Sequence, residues 1–455
     1  FRRRAATVWE RLSVPAFSGW VLFAIFTVLY LALKFNAHFA LSTFGYDLSA
    51  HDYAFYNTLH GKFMFTPFFG KSYLQEHFFP TILVALPFYA LHPSTEVLLV
   101  LQALMVAATA VPFFTLSTML IGDRRAAFFL TTALLLNPFI LRGMVFDFHI
   151  EMIQPLLLCG ALLCLVEGRF LGWCLLLPLL LFTKENEWLT GLMLAVTAWI
   201  LGRRRYALAA LALSLLAAIL VQWAVTHYAT GFPKYLARYA ELGATPGAIL
   251  LHLARDPGHL FNAHMFALFG RLLVPLAGLP LLSPVALVAL PDFFVHALSC
   301  HGQQSHLMLY YGAPIVTLLM IAAAAGLGKV RACWPLLLPA LMVFLLVMNV
   351  GALRFRTVTI EHRAARALAA SVPAGGAVSV ENELLPHLRR QRVVECIDYI
   401  DSRATEFDFI LINAALHPVW DSAIKTTGFF EKKGVSGNYV LYAKKGLTPP
   451  PPGGR

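Results

Sequence analysis

The loops between the apolar segments of this chain are of two alternating kinds, and this alternation constrains the fold more than any other feature. One kind collects arginine and lysine, as at Arg124 and in the run 203–205. The other kind carries carboxylates, histidines and a lysine, as at Asp47, Asp147 and Lys184. Cytoplasmic loops of membrane proteins collect Lys and Arg. The second kind of loop is therefore predicted to share the opposite, outer face of a membrane.

The composition of the chain also indicates a membrane protein. Hydrophobic residues make up 59% of the 455 residues and charged residues only 13%, whereas a soluble protein carries about 25% charged residues. The net charge of +11 follows from the cytoplasmic Lys and Arg and from contact with anionic headgroups. No basic stretch is interleaved with aromatic residues as in a nucleic-acid groove. We expect membrane lipids as partners and no nucleic acid.

Eleven segments of the chain are apolar over most of the roughly 20 residues that a helix needs to cross a bilayer. They are 18–36, 96–121, 126–141, 152–166, 170–182, 188–201, 206–225, 263–282, 285–298, 308–327 and 334–350. With the N-terminus in the cytoplasm, eleven crossings place the Arg-rich loops inside and the carboxylate-rich loops outside. The sequence therefore predicts an all-α polytopic bundle with about 11 transmembrane helices.

The remaining segments suggest how the chain divides into domains. The segment 79–91 is apolar but short and carries Pro80 and Pro87, which is typical of an interfacial or half-inserted helix. After Arg354 the hydropathy falls, and the pattern predicts strands at 377–380, 407–412 and 439–444 and a helix at 362–370. The predicted domains are a transmembrane domain 1–351 with outer loops 37–95 and 226–262, a small soluble α/β domain 352–447, and a disordered Pro-rich tail 448–455.

The first outer loop carries two carboxylates, Asp47 and Asp52. Together they could bind a divalent cation, or one of them could deprotonate a hydroxyl nucleophile. Asp47 also follows Gly45 at the start of a helical pattern, where aspartate is a preferred N-cap. The loop alone leaves catalysis and capping open.

Two further groups of ionisable residues are close together in sequence, one later in the first outer loop and one in the next outer loop. Glu76 and His77 could hold a cation or move a proton, or they could anchor the segment among headgroups. Asp147, His149 and Glu151 stand on alternate residues. All three could face one cavity if the segment is an irregular loop, whereas a helix would separate them. A His-x-Glu sequence alone is weak support for a metal site.

Lys184 and Glu185 follow a leucine-rich span. They either neutralise each other at a helix end or present a lysine to a phosphate outside the membrane. His301 and His306 stand with two glutamines in another polar loop on the same predicted face. Four outer loops with ionisable groups make a common functional site more probable than any one motif does.

Motifs spread over almost the whole chain resemble those of the GT-C superfamily, the polytopic glycosyltransferases that use polyprenyl-phosphate-linked sugars. Closer still, the chain is similar to a bacterial group of predicted membrane proteins of unknown function within that superfamily. The matching residues are Tyr46, Asp47, Asp52, Asn57, Glu76, His77, Phe78, Pro80, Asn137, Pro138, 146–149, Glu151, 183–185, Val372, Pro373, 378–380, Asn382, 385–388 and Arg392.

The resemblance implies a plasma (inner) membrane location in a bacterium, with a cytoplasmic N-terminus and a periplasmic C-terminal domain. In GT-C enzymes an acidic residue early in the first outer loop is the catalytic base or a metal ligand, which implies such a role for Asp47. An acidic-basic-Pro segment follows in the family, and Glu76 and His77 resemble it except that histidine replaces the usual cation and Pro80 stands two positions late. If the enzyme uses a divalent metal, Mg or Mn, we expect Asp47 and Asp147 to bind it.

The leading hypothesis is an inverting transfer of a sugar from a polyprenyl-phosphate donor to an acceptor at the outer face of the membrane. A lipid-phosphate leaving group departs easily once its charge is neutralised, so the site mainly needs positioning and cations. Asp47 and Asp52 are the catalytic candidates. The candidates for binding phosphate or sugar are Glu76, His77, Asp147, His149, Glu151, Lys184, Glu185, His301 and His306. The alternative is a non-catalytic GT-C-fold membrane subunit that binds a partner protein complex or lipid.

Overall fold

The computed structural model describes residues 15–330, 353–397 and 405–447, with the isolated positions 341, 344 and 347. Most of the predicted span 334–350 and the predicted tail 448–455 lie outside the described residues. The described helices of at least eight residues are α1 Pro15–Phe39, α2 Tyr46–Leu59, α3 Thr95–Ala108, α4 Ala110–Ile121, α5 Arg124–Leu135, α6 Pro138–Val145, α7 Gln154–Glu167, α8 Phe170–Leu181, α9 Glu187–Ile200, α10 Arg204–His227, α11 Pro246–Arg255, α12 Ala263–Leu273, α13 Leu290–Ala297, α14 Ala313–Lys329, α15 Ile360–Ala370 and α16 Pro418–Thr426. The described strands are β1 Phe65–Thr66, β2 Lys71–Ser72, β3 Ala377–Val380, β4 Val393–Cys396, β5 Phe409–Asn413, β6 Phe430–Ser436 and β7 Tyr439–Lys444.

Apolar helices dominate the described chain. The stretches long and apolar enough to cross a membrane are Ser18–Phe39, Thr95–Ile121, Ile150–Glu167 and Arg204–His227. A further span is formed if α5 and α6, which are bent by 46° at their junction, count as one. At that junction the side chain of Asn137 accepts a hydrogen bond from the Phe139 N–H, and Pro138 begins the new helix, which together are a strong helix-start signal. Shorter apolar helices occupy several other predicted spans, and the count of eleven stays a prediction.

The predicted span 263–282 is wrong as one continuous helix. α12 ends at Leu273 and two 3-10 turns follow it. Pro275 and Pro280 lie in the first turns of these segments because proline lacks the N–H that a continuing helix requires. Gly278 between them has a φ of 69°, a left-handed conformation that glycine adopts freely. A hydropathy pattern does not show these breaks in the helix.

Two other segments, both outside the predicted spans, contain helices separated by turns and loops. The segment 79–91 forms a 3-10 turn over Pro80–Ala85 and a helix over Leu86–Leu91. The outer loop 226–262 contains the short helix Phe232–Leu236 and the longer α11. Their location at the membrane interface stays a prediction.

The chain divides into two compact units. Unit 1 consists of 1–31, 74–85 and 100–354, and unit 2 consists of 32–73, 86–99 and 355–455. The last segment of unit 2 begins near the predicted domain boundary at 352. Unit 2 additionally includes two earlier segments, which contain α2 and the helix Leu86–Leu91.

Unit 2 contains a five-stranded mixed sheet of order β4-β3-β5-β7-β6. β3 pairs in parallel with β4 and β5, whereas β7 pairs antiparallel with β5 and β6. Alternate strand residues face opposite sides of a sheet. Val378 and Leu411 therefore pack with Ala365 of α15, while Ile410 packs with Ile424 of α16 in a separate cluster.

The sequence anticipated the centre of this sheet. The predicted strands 377–380 and 439–444 are confirmed as β3 and β7, and 407–412 corresponds to β5. The predicted helix 362–370 lies within α15. β4 and β6 were not predicted, since each is an edge strand with charged and exposed positions that weaken the apolar signal.

Replacement of Gly326 by Ala should destabilise unit 1. A Cβ on Gly326 in α14 would collide with the backbone carbonyl oxygen of Leu279, and overpacking of this kind costs about 1–3 kcal/mol. We expect a lower midpoint of thermal unfolding for Gly326→Ala in detergent, measured by circular dichroism.

The matched control is Gly270→Ala in α12, where an added Cβ meets nothing within 4 Å. The same substitution there should raise stability by about 0.5–1 kcal/mol because alanine loses less backbone entropy in a helix. Equal midpoints for the two variants would contradict the close approach of α14 to Leu279.

Candidate functional site

Lys184 lies in unit 1, in the turn between α8 and α9, where it meets two tyrosines. Its Nζ is 5.4 Å from the ring centre of Tyr310 and 4.9 Å from that of Tyr311. Both distances lie within the roughly 6 Å over which an aromatic face attracts a cation. The two tyrosines directly precede Gly312 and α14, and their hydroxyl oxygens are 3.3 Å apart. The lysine is thus held over an aromatic platform.

The loop between α6 and α7 brings an imidazole to the same platform. The ring of His149 stacks on Tyr310 at 3.9 Å with an interplanar angle of 24°. Phe146 stacks on His149 in turn, at 5.4 Å. Nδ1 of His149 lies 3.5 Å from a carboxylate oxygen of Glu151. We refer to Lys184, Tyr310, Tyr311, His149 and Glu151 as the Lys184 cluster.

Gln102 of α3 fixes the backbone of this loop. Its side-chain oxygen accepts from the backbone N–H of His149 at 2.8 Å, and its amide donates to the carbonyl of Gly143 at 2.8 Å. Gln102 and Asp147 are both fully buried. Because α6 ends at Val145, Asp147 stands on irregular backbone, as the loop alternative predicted.

Three carboxylates act electrostatically on Lys184: Glu151, Glu187 and Asp292. Glu187 is 2% exposed and Asp292 only 1%. Asn186 donates to Oδ1 of Asp292 at 2.7 Å. Oδ2 of Asp292 is buried and has no hydrogen-bond partner among the described residues. Lys184 thus acts on all three carboxylates, and Oδ2 of Asp292 is an acceptor without a donor in the described chain.

The loop that follows α13 is organised by Gln304. Its side-chain oxygen accepts from Arg238 at 2.8 Å, and its Nε2 lies 3.0 Å from the hydroxyl of Tyr239 and 3.1 Å from Nδ1 of His296. Burial raises the pKa of Tyr239 to about 12, so this hydroxyl keeps its proton at neutral pH. The loop that carries the predicted residue His301 is therefore tied to α13 by a polar network.

A second group of ionisable residues adjoins Lys184 through the chain itself. Glu185 accepts from Nδ1 of His77 at 3.1 Å and from the backbone N–H of Phe78 at 2.7 Å. Burial alone would raise the pKa of Glu185, but His77 and these hydrogen bonds outweigh burial and hold the pKa below its usual value. Glu185 is therefore ionised at neutral pH and orients the His77 ring.

Glu76 completes this second group. It is buried, forms an ion pair with Lys234 and accepts from the hydroxyl of Tyr235 at 3.0 Å. The ring of Tyr235 lies 4.1 Å from that of His77. A Cβ on Gly231 would collide with the Glu76 side chain, so glycine is required where this loop passes the carboxylate.

Unit 2 holds the two carboxylates of the first outer loop. Asp47 is half-buried in the first turn of α2, and the N-cap of that helix is Gly45, with a φ of 82°. The capping interpretation of Asp47 is therefore wrong, because the cap position lies two residues earlier. The positive end of the helix dipole still favours a carboxylate in the first turn.

Asp52, one turn further along α2, is buried in an ion pair. Arg390 donates to both of its carboxylate oxygens, with Nη2 at 2.9 Å from Oδ1. The hydroxyl of Tyr89 donates to the same Oδ1 at 2.5 Å, and the guanidinium lies 4.4 Å from the ring centre of Tyr56. Asp52 and its hydrogen bonds raise the pKa of Arg390 against the opposing effect of burial. This use of both oxygens favours a positioning role for Asp52 over that of a base.

The sequence matches the family described as Predicted membrane protein (DUF2079) over residues 37–446. The chain belongs to this family. No curated protein matches the sequence of this DUF2079 member.

A solved structure shows the fold of the DUF2079 chain. The structure is similar to that of ArnT from Cupriavidus metallidurans bound to undecaprenyl phosphate, with a TM-score of 0.55 and 15% sequence identity. The likeness covers 94% of this chain and 98% of that one. At this sequence identity the likeness shows that the two proteins share a fold.

The structure groups the predicted binding residues of the DUF2079 chain by position. Unit 1 brings His149, Glu151 and Lys184 into one group and Glu76, His77 and Glu185 into the adjacent one. The backbone N–H of His301 donates to Ser299 at 3.1 Å, whereas His306 is exposed and its ring contacts that of His264 at 5.0 Å.

Asp47 and Asp147 were the expected ligands of a divalent metal. Each belongs to a different compact unit, and neither joins a group of three or more metal-binding side chains in the part of the chain that the structure describes. A metal bound by these two residues stays a prediction, and we derive no step through a metal.

Several contributing residues were missed by the sequence analysis, and Asp292 and Arg390 are two of them. Asp292 stands inside the apolar stretch Leu290–Ala297, and a carboxylate in such a stretch is itself a signal of function. Arg390 gave no local signal, because 338 residues separate it from Asp52.

Removal of one partner of the Asp52–Arg390 pair should strongly destabilise unit 2. Asp52→Leu or Arg390→Met leaves a buried charge without its counterion, which costs about 3–5 kcal/mol. The double variant should be much closer to the wild type, since it buries no charge. Denaturant unfolding of the four proteins measures this double-mutant cycle.

The exposed pair Lys433–Glu431 on β6, at 2.5 Å, provides the control. Glu431→Gln should change the unfolding free energy by no more than about 1 kcal/mol. Additive losses from the two buried variants would refute a direct coupling of Asp52 and Arg390.

Proposed function

We propose that this DUF2079 protein is a membrane glycosyltransferase that moves a sugar from a polyprenyl-phosphate donor to an acceptor hydroxyl at the outer face of the bacterial plasma membrane. The observation that carries the proposal is the Lys184 cluster, where a cation, an imidazole and two tyrosine rings meet at irregular backbone. The likeness to a protein bound to undecaprenyl phosphate supports a lipid phosphate as the ligand.

The Lys184 cluster offers complementary groups for both parts of such a donor. Lys184 supplies a positive charge for the phosphate, which stabilises the leaving group as the bond to the sugar breaks. The rings of Tyr310 and Tyr311 provide apolar faces for a sugar ring. The unpartnered Oδ2 of Asp292 is an acceptor suited to a sugar hydroxyl, because a buried acceptor without a donor is costly until it is filled.

In the proposed reaction the acceptor oxygen attacks the anomeric carbon of the sugar with inversion. The bond between that carbon and the phosphate oxygen breaks, and the lipid phosphate leaves with both electrons. Asp47 of unit 2 is the residue that we propose as acceptor of the hydroxyl proton, on the resemblance to GT-C enzymes and not on a contact with the Lys184 cluster. His149 and Lys184 neutralise the leaving phosphate, while Glu151 and Glu185 hold His149 and His77 in place. Asp52 positions α2 through Arg390.

Lys184→Met should weaken the binding of undecaprenyl phosphate. A charge-assisted hydrogen bond contributes about 1.5–3 kcal/mol, so the dissociation constant should rise about 10- to 100-fold. Lys184→Arg keeps the charge and should retain part of the affinity. Titration of the lipid into purified protein, followed by native mass spectrometry, measures both variants.

The control is Lys62→Met, which removes an exposed lysine in the turn after α2. If Lys184→Met binds the lipid as tightly as Lys62→Met does, Lys184 does not bind the phosphate. A loss of affinity in both variants would indicate only a general attraction of the lipid to positive charge.

Asp47→Asn should abolish sugar transfer and leave expression and folding intact. The amide keeps the shape of the side chain but cannot accept the proton. Because Gly45 is the N-cap, the substitution removes no capping hydrogen bond, and the lost charge in the first turn costs about 0.3–1 kcal/mol. Single-turnover transfer from a polyprenyl-phosphate sugar to a soluble acceptor is the measurement.

Asp123→Asn provides a matched control at the start of α5, where Asp123 caps the helix through the Ala126 N–H. It should transfer sugar at the wild-type rate. Full activity in Asp47→Asn would exclude Asp47 as the base.

The buried Asp52–Arg390 pair favours a second candidate, a non-catalytic subunit that uses the GT-C fold to bind lipid or a partner protein. In this case one of the two acids of the first outer loop serves structure alone. Binding of undecaprenyl phosphate without transfer from any donor, and a stoichiometric protein partner on purification, would support this candidate over the enzyme.

A further inference from the structure

Three side chains with metal-binding atoms lie together at the end of α11, outside the groups described above. They are His252, Asp256 and His259, and one ligand atom from each lies within 4.8 Å of the other two. Asp256, with a φ of −128° and a ψ of 84°, separates α11 from the 3-10 turn Pro257–Leu260. Across this non-helical residue the ring of His259 lies 4.8 Å from that of His252.

The atoms that face one another have no other hydrogen-bond partner. Oδ1 of Asp256 accepts from the N–H of Gly258 at 3.1 Å and starts the turn, which leaves Oδ2 to face Nδ1 of His259 at 3.5 Å. Nε2 of His252 and Nδ1 of His259 are buried and lack a hydrogen bond among the described residues. Leaving a buried polar atom unsatisfied costs about 1–3 kcal/mol, and a bound cation would offset that cost.

We propose that His252, Asp256 and His259 bind a zinc ion, with water as a fourth ligand. Two imidazoles and one carboxylate are a donor set that zinc takes with three protein ligands. Tetrahedral zinc with bonds of about 2.0–2.1 Å places neighbouring ligand atoms about 3.4 Å apart, close to the 3.5 Å between Asp256 and His259. Magnesium and calcium prefer all-oxygen sites, so the two histidines disfavour them.

The ion would join the last turn of α11 to the turn after it. Both lie in the segment between α10 and α12, and Arg255 and Asp256 are exposed there. Zinc would hold the backbone around the peptide bond between these two residues in one conformation. A protease can cut this bond only after the backbone unfolds locally. The site is independent of the sugar-transfer proposal.

The test uses the full chain in detergent, purified through a tag without histidine and stripped with chelator. We expect zinc chloride to bind at one ion per chain in calorimetry and to slow tryptic cleavage after Arg255, while magnesium chloride does neither. His252→Ala and His259→Ala should weaken zinc binding at least tenfold, since loss even of a residue that only orients a ligand costs about 10–100-fold.

Two further variants separate ligand loss from misfolding. Asp256→Asn keeps the oxygen that accepts from Gly258 but removes the charge, so it should fold normally and bind zinc more weakly. His227→Ala removes an exposed histidine at the end of α10 and should bind like the wild type. Zinc affinity that is absent in the wild type, or equal in the wild type and the three ligand variants, would overturn the proposal.

Discussion

Lys184 is the charge on which the polar groups of unit 1 depend. Glu187 and Asp292 are almost completely removed from solvent, and an isolated carboxylate in such surroundings would have to take up a proton or cost several kcal/mol. Lys184 is a cation that acts on both of them and on Glu151, and the rings of Tyr310 and Tyr311 lie beside it. The same arrangement makes the lysine a charge of fixed position, which a bound anion could use without reorganising the protein.

Irregular backbone carries Lys184, His149 and the two tyrosines. α6 and α8 end just before His149 and Lys184, and Tyr310 and Tyr311 follow Leu309, whose φ of 56° departs from helical geometry. Backbone groups outside a helix need other partners in apolar surroundings. Gln102 provides two such hydrogen-bond partners, one for the N–H of His149 and one for the carbonyl of Gly143. The backbone can therefore leave the helix at this place, where side chains of different segments meet.

The sequence predicted features that depend on neighbouring residues and missed those that depend on distant ones. β3, β7 and α15 follow from local patterns of apolar residues, and the loop acids were found because charges stand out in an apolar chain. The pairing of Asp52 with Arg390 joins residues far apart, so no local pattern encodes it. Gly45, and not Asp47, is the N-cap of α2, because its left-handed φ suits the turn that precedes the helix. The capping preferences of side chains alone do not predict this position.

The segment 263–282 shows a different limit. Its residues are apolar throughout, which hydropathy reads as one crossing, but two prolines and a left-handed glycine divide it. The Asn137–Pro138 junction divides the span 126–141 by a similar mechanism, although there the new helix has a clear start signal. Apolar composition therefore predicts where the chain avoids water more reliably than it predicts the path of the backbone.

The edge strand β6 affects whether two copies of this protein can pair through their sheets. A two-dimensional setting raises the frequency of encounters, and an open sheet edge is a template for pairing with another chain. Glu431, Lys432 and Lys433 are exposed on this edge strand, and a register shift lies between Lys432 and Gly434. A second sheet that approached in register would bring lysine against lysine and meet an interrupted ladder. The charges and the register shift of β6 therefore oppose self-association at this edge. The same charges weaken the apolar pattern by which a strand is predicted from sequence.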